Sequence, residues 1–198
     1  MPRPVRLVFR LLLLAFAVML MPASSMAAWS LGANLGIGIH DPSTAGDATT
    51  LVSAPSQSNA LALLRPGLRV GFAGAEMKHE GYFDFSLDLQ SSGGDNLHVW
   101  RFAPNYQYNF SAPGKTRPFV TLGAGLFNAG VNFGGSSTGA TSFTYGGGVG
   151  FGTKVSEDHG RIRGELRYDR LNKGKDNGTV LIEAANLFQL VLGFDLWM

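Results

Sequence analysis

The sequence predicts an all-β fold: an eight-stranded antiparallel up-and-down transmembrane β-barrel, preceded by a cleavable signal peptide. Three observations carry that prediction. Segment after segment alternates apolar and polar residues with period two, the spacing of a strand with one apolar face. No stretch after the N-terminal leader forms an 18-residue apolar run or a helical pattern that could cover those faces, so lipid is the expected cover. An export signal opens the chain. In a bilayer an unpaired backbone amide costs several kcal/mol, so strands that span it must close into a barrel.

Residues 1–28 begin with Arg3, Arg6 and Arg10, continue through the apolar run Leu11 to Met21, and end in Pro22-Ala-Ser-Ser-Met-Ala-Ala28. That is a secretory signal with a small-residue cleavage site, placed after Ala28. It holds three of the 16 Lys and Arg and no acid. The mature chain therefore carries 13 against 14 Asp and Glu, and the +2 of the whole chain is no argument for a nucleic-acid partner. The absence of Cys excludes disulfides, thiol chemistry and Cys-based metal sites. Residues 29–198 fit a single domain.

Strand one, Trp29 to Ile39, sets Trp29, Leu31, Leu35, Ile37 and Ile39 against Ser30, Gly32, Asn34, Gly36 and Gly38. Residues 40–58, rich in Ser, Thr, Ala and Pro, read as a long first loop. Strand two, Leu64 to Ala73, points Leu68, Val70 and Phe72 outward and Arg65, Gly67, Arg69 and Gly71 inward, with regular pairing beginning after Pro66. A turn through Glu76, Lys78 and His79 leads to strand three, Gly81 to Gln90, where Phe83, Phe85, Leu87 and Leu89 oppose Tyr82, Asp84, Ser86 and Asp88. Ser91 to Asn96 is a short loop. Strand four, Leu97 to Phe110, places Trp100, Phe102, Tyr106, Tyr108 and Phe110 opposite Arg101, Asn105, Gln107 and Asn109, and those aromatic residues are the candidate interfacial girdle.

After a turn with Pro113, Gly114 and Pro118 comes strand five, Phe119 to Phe127, and a Gly, Asn and Ser loop over 128–140. Strand six, Ser142 to Val155, faces Phe143, Tyr145, Val149 and Phe151 outward and a row of glycines inward. Strand seven runs from Arg161 to Asp169, a polar loop spans Asn172 to Thr179, and the last strand, Asn186 to Met198, has an uncharged apolar face from Phe188 to Met198. Eight strands return both ends to one side. The short connections near Ala75, Ser111 and Glu157 are expected in the periplasm, and those near Asp47, Asn132 and Lys175 outside, together with the short Ser91–Asn96 loop.

Pro118-Phe-Val-Thr-Leu-Gly-Ala-Gly125, Arg163-Gly-Glu-Leu-Arg-Tyr-Asp169 and Leu192-Gly-Phe-Asp-Leu-Trp-Met198 resemble the small outer-membrane barrel superfamily of OmpA, OmpX, OmpW and opacity proteins. The resemblance covers nearly the whole mature chain and implies a monomeric barrel in the outer membrane of a diderm bacterium. It also implies lipopolysaccharide and outer-membrane lipid as neighbours, and an insertion signal read by the barrel-assembly machinery at Gly193, Leu196 and Met198. The family's terminal residue is usually aromatic, whereas this chain ends in Met198. The peptidoglycan-binding module of full OmpA-type proteins is not expected after it.

The lumen candidates are Arg65, Arg69, Arg101, Arg163 and Arg167 against Asp84, Asp88, Glu165, Asp169 and Asp195. An eight-stranded barrel is just wide enough to be filled by side chains, so these charges are read as a paired structural plug, with a narrow pore as the alternative. If strands seven and eight pair with residue numbers summing to 358, Arg163 meets Asp195. Lipid A deacylases, eight-stranded barrels with a His-x-Ser-Asn motif on the outer wall, are a further comparison. The matching stretch here is Tyr168-Asp-Arg-Leu-Asn172, without nucleophile or base, and Glu183 alone activates nothing. No enzyme activity is expected.

His40, His79, His98 and His159 form no closely spaced pair, so no metal is expected, and Gly146 to Gly152 lacks the Lys and helix of a phosphate loop. No cofactor is expected. Arg170, Lys173 and Lys175 could meet lipopolysaccharide phosphates or be an ordinary polar loop. Loops 40–58 and 128–140 are the expected surface for an extracellular ligand, in a structural, envelope-integrity or adhesin-like role.

Overall fold

The computed structural model describes residues 26–43, 50–54, 67–74, 76–92, 95–110, 115–134, 136–156, 159–176 and 179–198. The strands are β1 (Met26–Pro42), β2 (Thr50–Ala54), β3 (Gly67–Gly74), β4 (His79–Ser92), β5 (Asp95–Asn109), β6 (Thr116–Phe133), β7 (Ser136–Ser156), β8 (Gly160–Leu171), β9 (Gly174–Asp176), β10 (Thr179–Ile182) and β11 (Ala185–Trp197). Eight of them, in the order β1-β3-β4-β5-β6-β7-β8-β11, pair antiparallel with their neighbours, and β11 closes on β1 from Ser30↔Trp197 to Pro42↔Ala185. Closure leaves the barrel wall without a sheet edge at these positions, which meets the backbone's need for partners in lipid. The chain ends are tied together: Met198 N donates to Trp29 O at 2.8 Å and Trp29 N to Met198 O at 3.2 Å.

Alternation decides the two faces. Leu122, Val149, Leu166, Leu192 and Phe194 point outward and are exposed, Leu122 at 67% and Leu166 at 63%. Arg69, Asp84, Arg163 and Asp195 point inward and are buried, Asp195 at 0%. The outward row Phe188 to Met198, at about 3.3 Å per residue and a tilt near 40°, rises about 25 Å, the height of an outer-membrane apolar band. Asp41, Arg170, Asn128 and Asn186 stand at one rim of that band. The end holding Trp29 and Met198 also holds the β3–β4, β5–β6 and β7–β8 connections. In the β3–β4 connection Met77 N donates to Gly74 O at 2.8 Å, with Met77 at φ 54°.

At the opposite end the structure departs from the sequence reading. Residues 128–140 are not an open loop: β6 and β7 continue as a paired hairpin from Asn128↔Thr141 to Phe133↔Ser136, turning at Gly134 with φ 55°. Within 40–58, β1 runs on to Pro42 and β2 pairs with Gly36 to His40. β4 and β5 pair as far as Ser92↔Asp95, so most of Ser91–Asn96 is strand. The 172–179 segment forms a two-stranded sheet from β9 and β10. These strands rise past the band, where their outer face meets water and only Ala129, Ala140 and Ile182 turn toward a buried cluster, so their sequence loses the apolar alternation while their ladder hydrogen bonds persist.

Candidate functional site

The side chains of the lumen form three layers. The lowest, toward the chain termini, is organised on Asp195. The β8–β11 register sums to 356, not 358, because Asp195 lies across from Arg161, while Arg163 faces Gly193. Arg163 still reaches Asp195 diagonally, Nε to Oδ2 at 3.0 Å, and Arg161 approaches the same oxygen at 2.9 Å. Arg69, across the barrel seam, comes to 3.6 Å of the other oxygen. Three guanidiniums on one carboxylate require further counter-charge, and Glu80 supplies it: it accepts from Arg161 at 2.8 and 2.9 Å and pairs closely with Arg69. Tyr82 lies under the Arg69 guanidinium, 3.4 Å from its ring centroid. Arginine suits such a place, since its planar fork engages several oxygens at once.

The middle layer belongs to the inward face of β8. Arg167 donates to Asp169 at 2.8 Å, reaches Glu165 at 3.4 Å, and donates to Asn105 Oδ1 at 2.9 Å. Arg101 joins Asp169 at 3.2 Å, and Thr121 donates to Glu165. Asp84 accepts from Asn34 at 2.8 Å and from Asn105 at 3.3 Å, linking β4 to β1 and β5. The facing strand must be nearly bare to admit these groups. A Cβ at Gly148 would collide with Glu165 Oε1 and the Leu166 carbonyl, and one at Gly146 with Asp169. The inward glycines of β7 are thus the complement of the inward charges of β8.

The third layer, at the end away from the termini, is apolar although it occupies the same inward positions. Phe127, Ala140, Leu171, Ala185 and Leu187 form one buried cluster with Ile182 of β10, and Val99 and Ala129 pack against it. Among the described residues the buried lumen charges are five arginines and six carboxylates: Arg69, Arg101, Arg161, Arg163 and Arg167 with Glu80, Asp84, Asp88, Glu165, Asp169 and Asp195. No group of three or more possible metal ligands occurs among the described residues.

Of the residues singled out from sequence, Arg65 lies outside the described residues. The other nine lumen charges are buried and inward-facing. The five β5 aromatics do not share one ring. Tyr106, Tyr108 and Phe110 gather with His79 near the termini, Phe102 stacks on Phe83 at 5.4 Å between centroids, and Trp100 lies toward the opposite end, across from Leu87 and Asn128. Gly193 faces the lumen between Arg163 and Asn34, whereas Leu196 and Met198 face outward.

Glu80 and Arg161 were not among the candidates, because the sequence reading began strand three at Gly81 and took Arg161 only as the start of strand seven. Extending each period of two by one step, from Tyr82 to Glu80 and from Arg163 to Arg161, would have found both. On the outer wall, Tyr168 donates to Asn186 at 2.9 Å and Glu183 pairs with Lys173 at 3.1 Å.

The sequence model of the outer membrane protein beta-barrel domain family matches residues 11–195. No curated protein sequence matches the chain. Among solved structures the chain is similar to Neisserial surface protein A, with 17% identity, a TM-score of 0.62, and coverage of 86% of this chain and 98% of that one. It is also similar to Ail, the attachment invasion locus protein of Yersinia pestis, with 11% identity, a TM-score of 0.56, and the same two coverages. At these identities the likeness is one of fold.

Proposed function

We propose that this chain, which belongs to the outer membrane protein beta-barrel family, is a closed scaffold whose work is done by the connections at the end away from its termini. The protein is a bacterial outer-membrane barrel. Its finer role, on this reading, is structural or adhesin-like: an extracellular ligand meets the surface around 40–58 and the β6–β7 hairpin at 128–140. The single observation that carries it is the filled lumen, where a network of arginines and carboxylates is overlain by the Phe127, Leu171 and Leu187 cluster. A barrel filled in this way offers no water path. Short connections beside the termini match periplasmic turns, which supports the reading that the opposite end lies outside the cell.

On the same reading residues 1–28 are removed on export, lipopolysaccharide surrounds the outer rim near Arg170, the barrel-assembly machinery reads the Gly193 to Met198 strand, and the barrel works as a monomer without catalysis. The deciding measurement is single-channel conductance of the refolded chain 29–198 beside Asp84→Asn, Asp88→Asn. Silence from both is expected. Reproducible current that changes with those carboxylates would replace the scaffold by a narrow pore. Replacing residues 128–140 by a minimal turn is expected to abolish attachment to a surface that the parent protein binds while leaving the barrel folded.

A further inference from the structure

The mouth beside the termini holds a cleft of about 50 Å³, bordered by Lys115, Arg117, Lys154, Arg161, Met77 and Trp197. Three of its cations are neighbours on one ladder. Lys154 N donates to Lys115 O at 3.2 Å, and Arg117 pairs with Gly152 two residues away on β7. None of the three has an ion-pair partner among the described residues, unlike the lumen arginines just above them. Like charges set side by side across a strand pair repel, and a bound anion would relieve that repulsion.

Two further observations concern residues that line the cleft. Trp197 is 5% exposed, and its indole N–H is buried with no hydrogen-bond partner. Arg161 is held rigidly, its guanidinium 5.0 Å from the Trp197 ring, and its contacts with Glu80 and Asp195 use only Nε and Nη2. One water needs about 10–15 Å³, so a cleft of about 50 Å³ admits one carboxylate or phosphate group and no sugar ring.

We propose that this cleft is an anion site that takes the terminal oxyanion, a carboxylate or a phosphate monoester, of a soluble ligand. Arg117 and Lys154 supply the charge, and the Trp197 ring lines the cleft beside them, where it reports on an occupant. On the orientation proposed above the ligand comes from the periplasm. Anion binding itself does not depend on that orientation, which surface labelling of a cysteine placed in the β6–β7 hairpin tests separately.

The three tryptophans give three indole resonances, and Trp197→Phe identifies the one at issue. The full chain in zwitterionic micelles is titrated with inorganic phosphate, with N-acetyl-dialanine as a peptide carboxylate, and with chloride at matched ionic strength. Saturable movement of the Trp197 resonance with phosphate or with the peptide supports the site, and the probe that moves it names the source. Arg117→Gln with Lys154→Gln is expected to weaken binding by about tenfold or more, while Lys173→Gln at the other end leaves it unchanged. Lys154→Gln alone, at an exposed position, is expected to act in the same direction. An unmoved resonance, an equal response to chloride, undiminished binding by the double variant, or movement only when the micelle contains anionic phospholipid would each overturn the proposal.

Discussion

The lumen near the termini and the lumen at the opposite end are built from the same inward positions of the same strands, yet one is filled with charge and the other with hydrocarbon. Below, Asp195 and Glu80 gather Arg69, Arg161 and Arg163. Above, Phe127, Leu171, Ala185 and Leu187 touch one another. On the scaffold reading both fillings exclude water, but they fail differently. An apolar layer loses only contacts when a side chain is trimmed, whereas an ion network left with an odd charge must keep that charge in a dry place. A buried network is weak as a source of net stability, and breaking one member of it is costly.

The largest expected effect is therefore at the charged end. Asp195→Ala leaves Arg69 and Arg161 sharing Glu80 and Arg163 with only Glu165, 3.7 Å away, and is expected to destabilise the barrel by about 3–5 kcal/mol in urea unfolding in micelles. A loss under about 1 kcal/mol would mean that water reaches Asp195, and the two ends would then differ in hydration and not merely in filling. Leu187→Ala, in the apolar layer, removes a fully buried side chain and is expected to cost about 2–3 kcal/mol, with the structure of the charged layer unchanged by chemical shift. If the two substitutions instead proved non-additive in the double variant and spread their shifts through both layers, the layers would be one cooperative unit.

The contrast also explains how far the sequence could be read. The faces of the spanning strands follow from alternation, so Tyr82 and Arg69 are legible as lumen residues in the sequence itself. Register was not. A shift of two residues keeps every side chain on its face, and the difference between sums of 358 and 356 is decided by which guanidinium lies across from Asp195. The apolar upper layer was also illegible, because Leu171 and Ile182 sit beside polar residues in segments whose other face is wet, and Phe127 looked like the end of a strand when it is inside one. Glu80 and Arg161 were hidden for a simpler reason: each stands at the junction of strand and turn.

The smallest effect belongs to charge outside the barrel altogether. In the β3–β4 turn, Lys78 Nζ lies 2.7 Å from Glu76 Oε2, both side chains open to solvent. The hydrogen bond from Lys78, and then its charge, hold the Glu76 carboxyl below its usual value, while the same contact raises the Lys78 ammonium. A carboxyl lowered in the folded state stabilises above its unfolded value and loses that contribution as pH falls through its folded one. A raised ammonium stabilises below its unfolded value and loses that contribution as pH rises through its folded one. The pair is thus strongest between those limits, but exposure and salt screen it. Glu76→Gln is expected to leave the unfolding midpoint unchanged at neutral pH in physiological salt. A clear drop in that midpoint would show the turn to be ordered by its charges, and would extend to the water-facing rim the dependence on ion pairing that marks the inner layer.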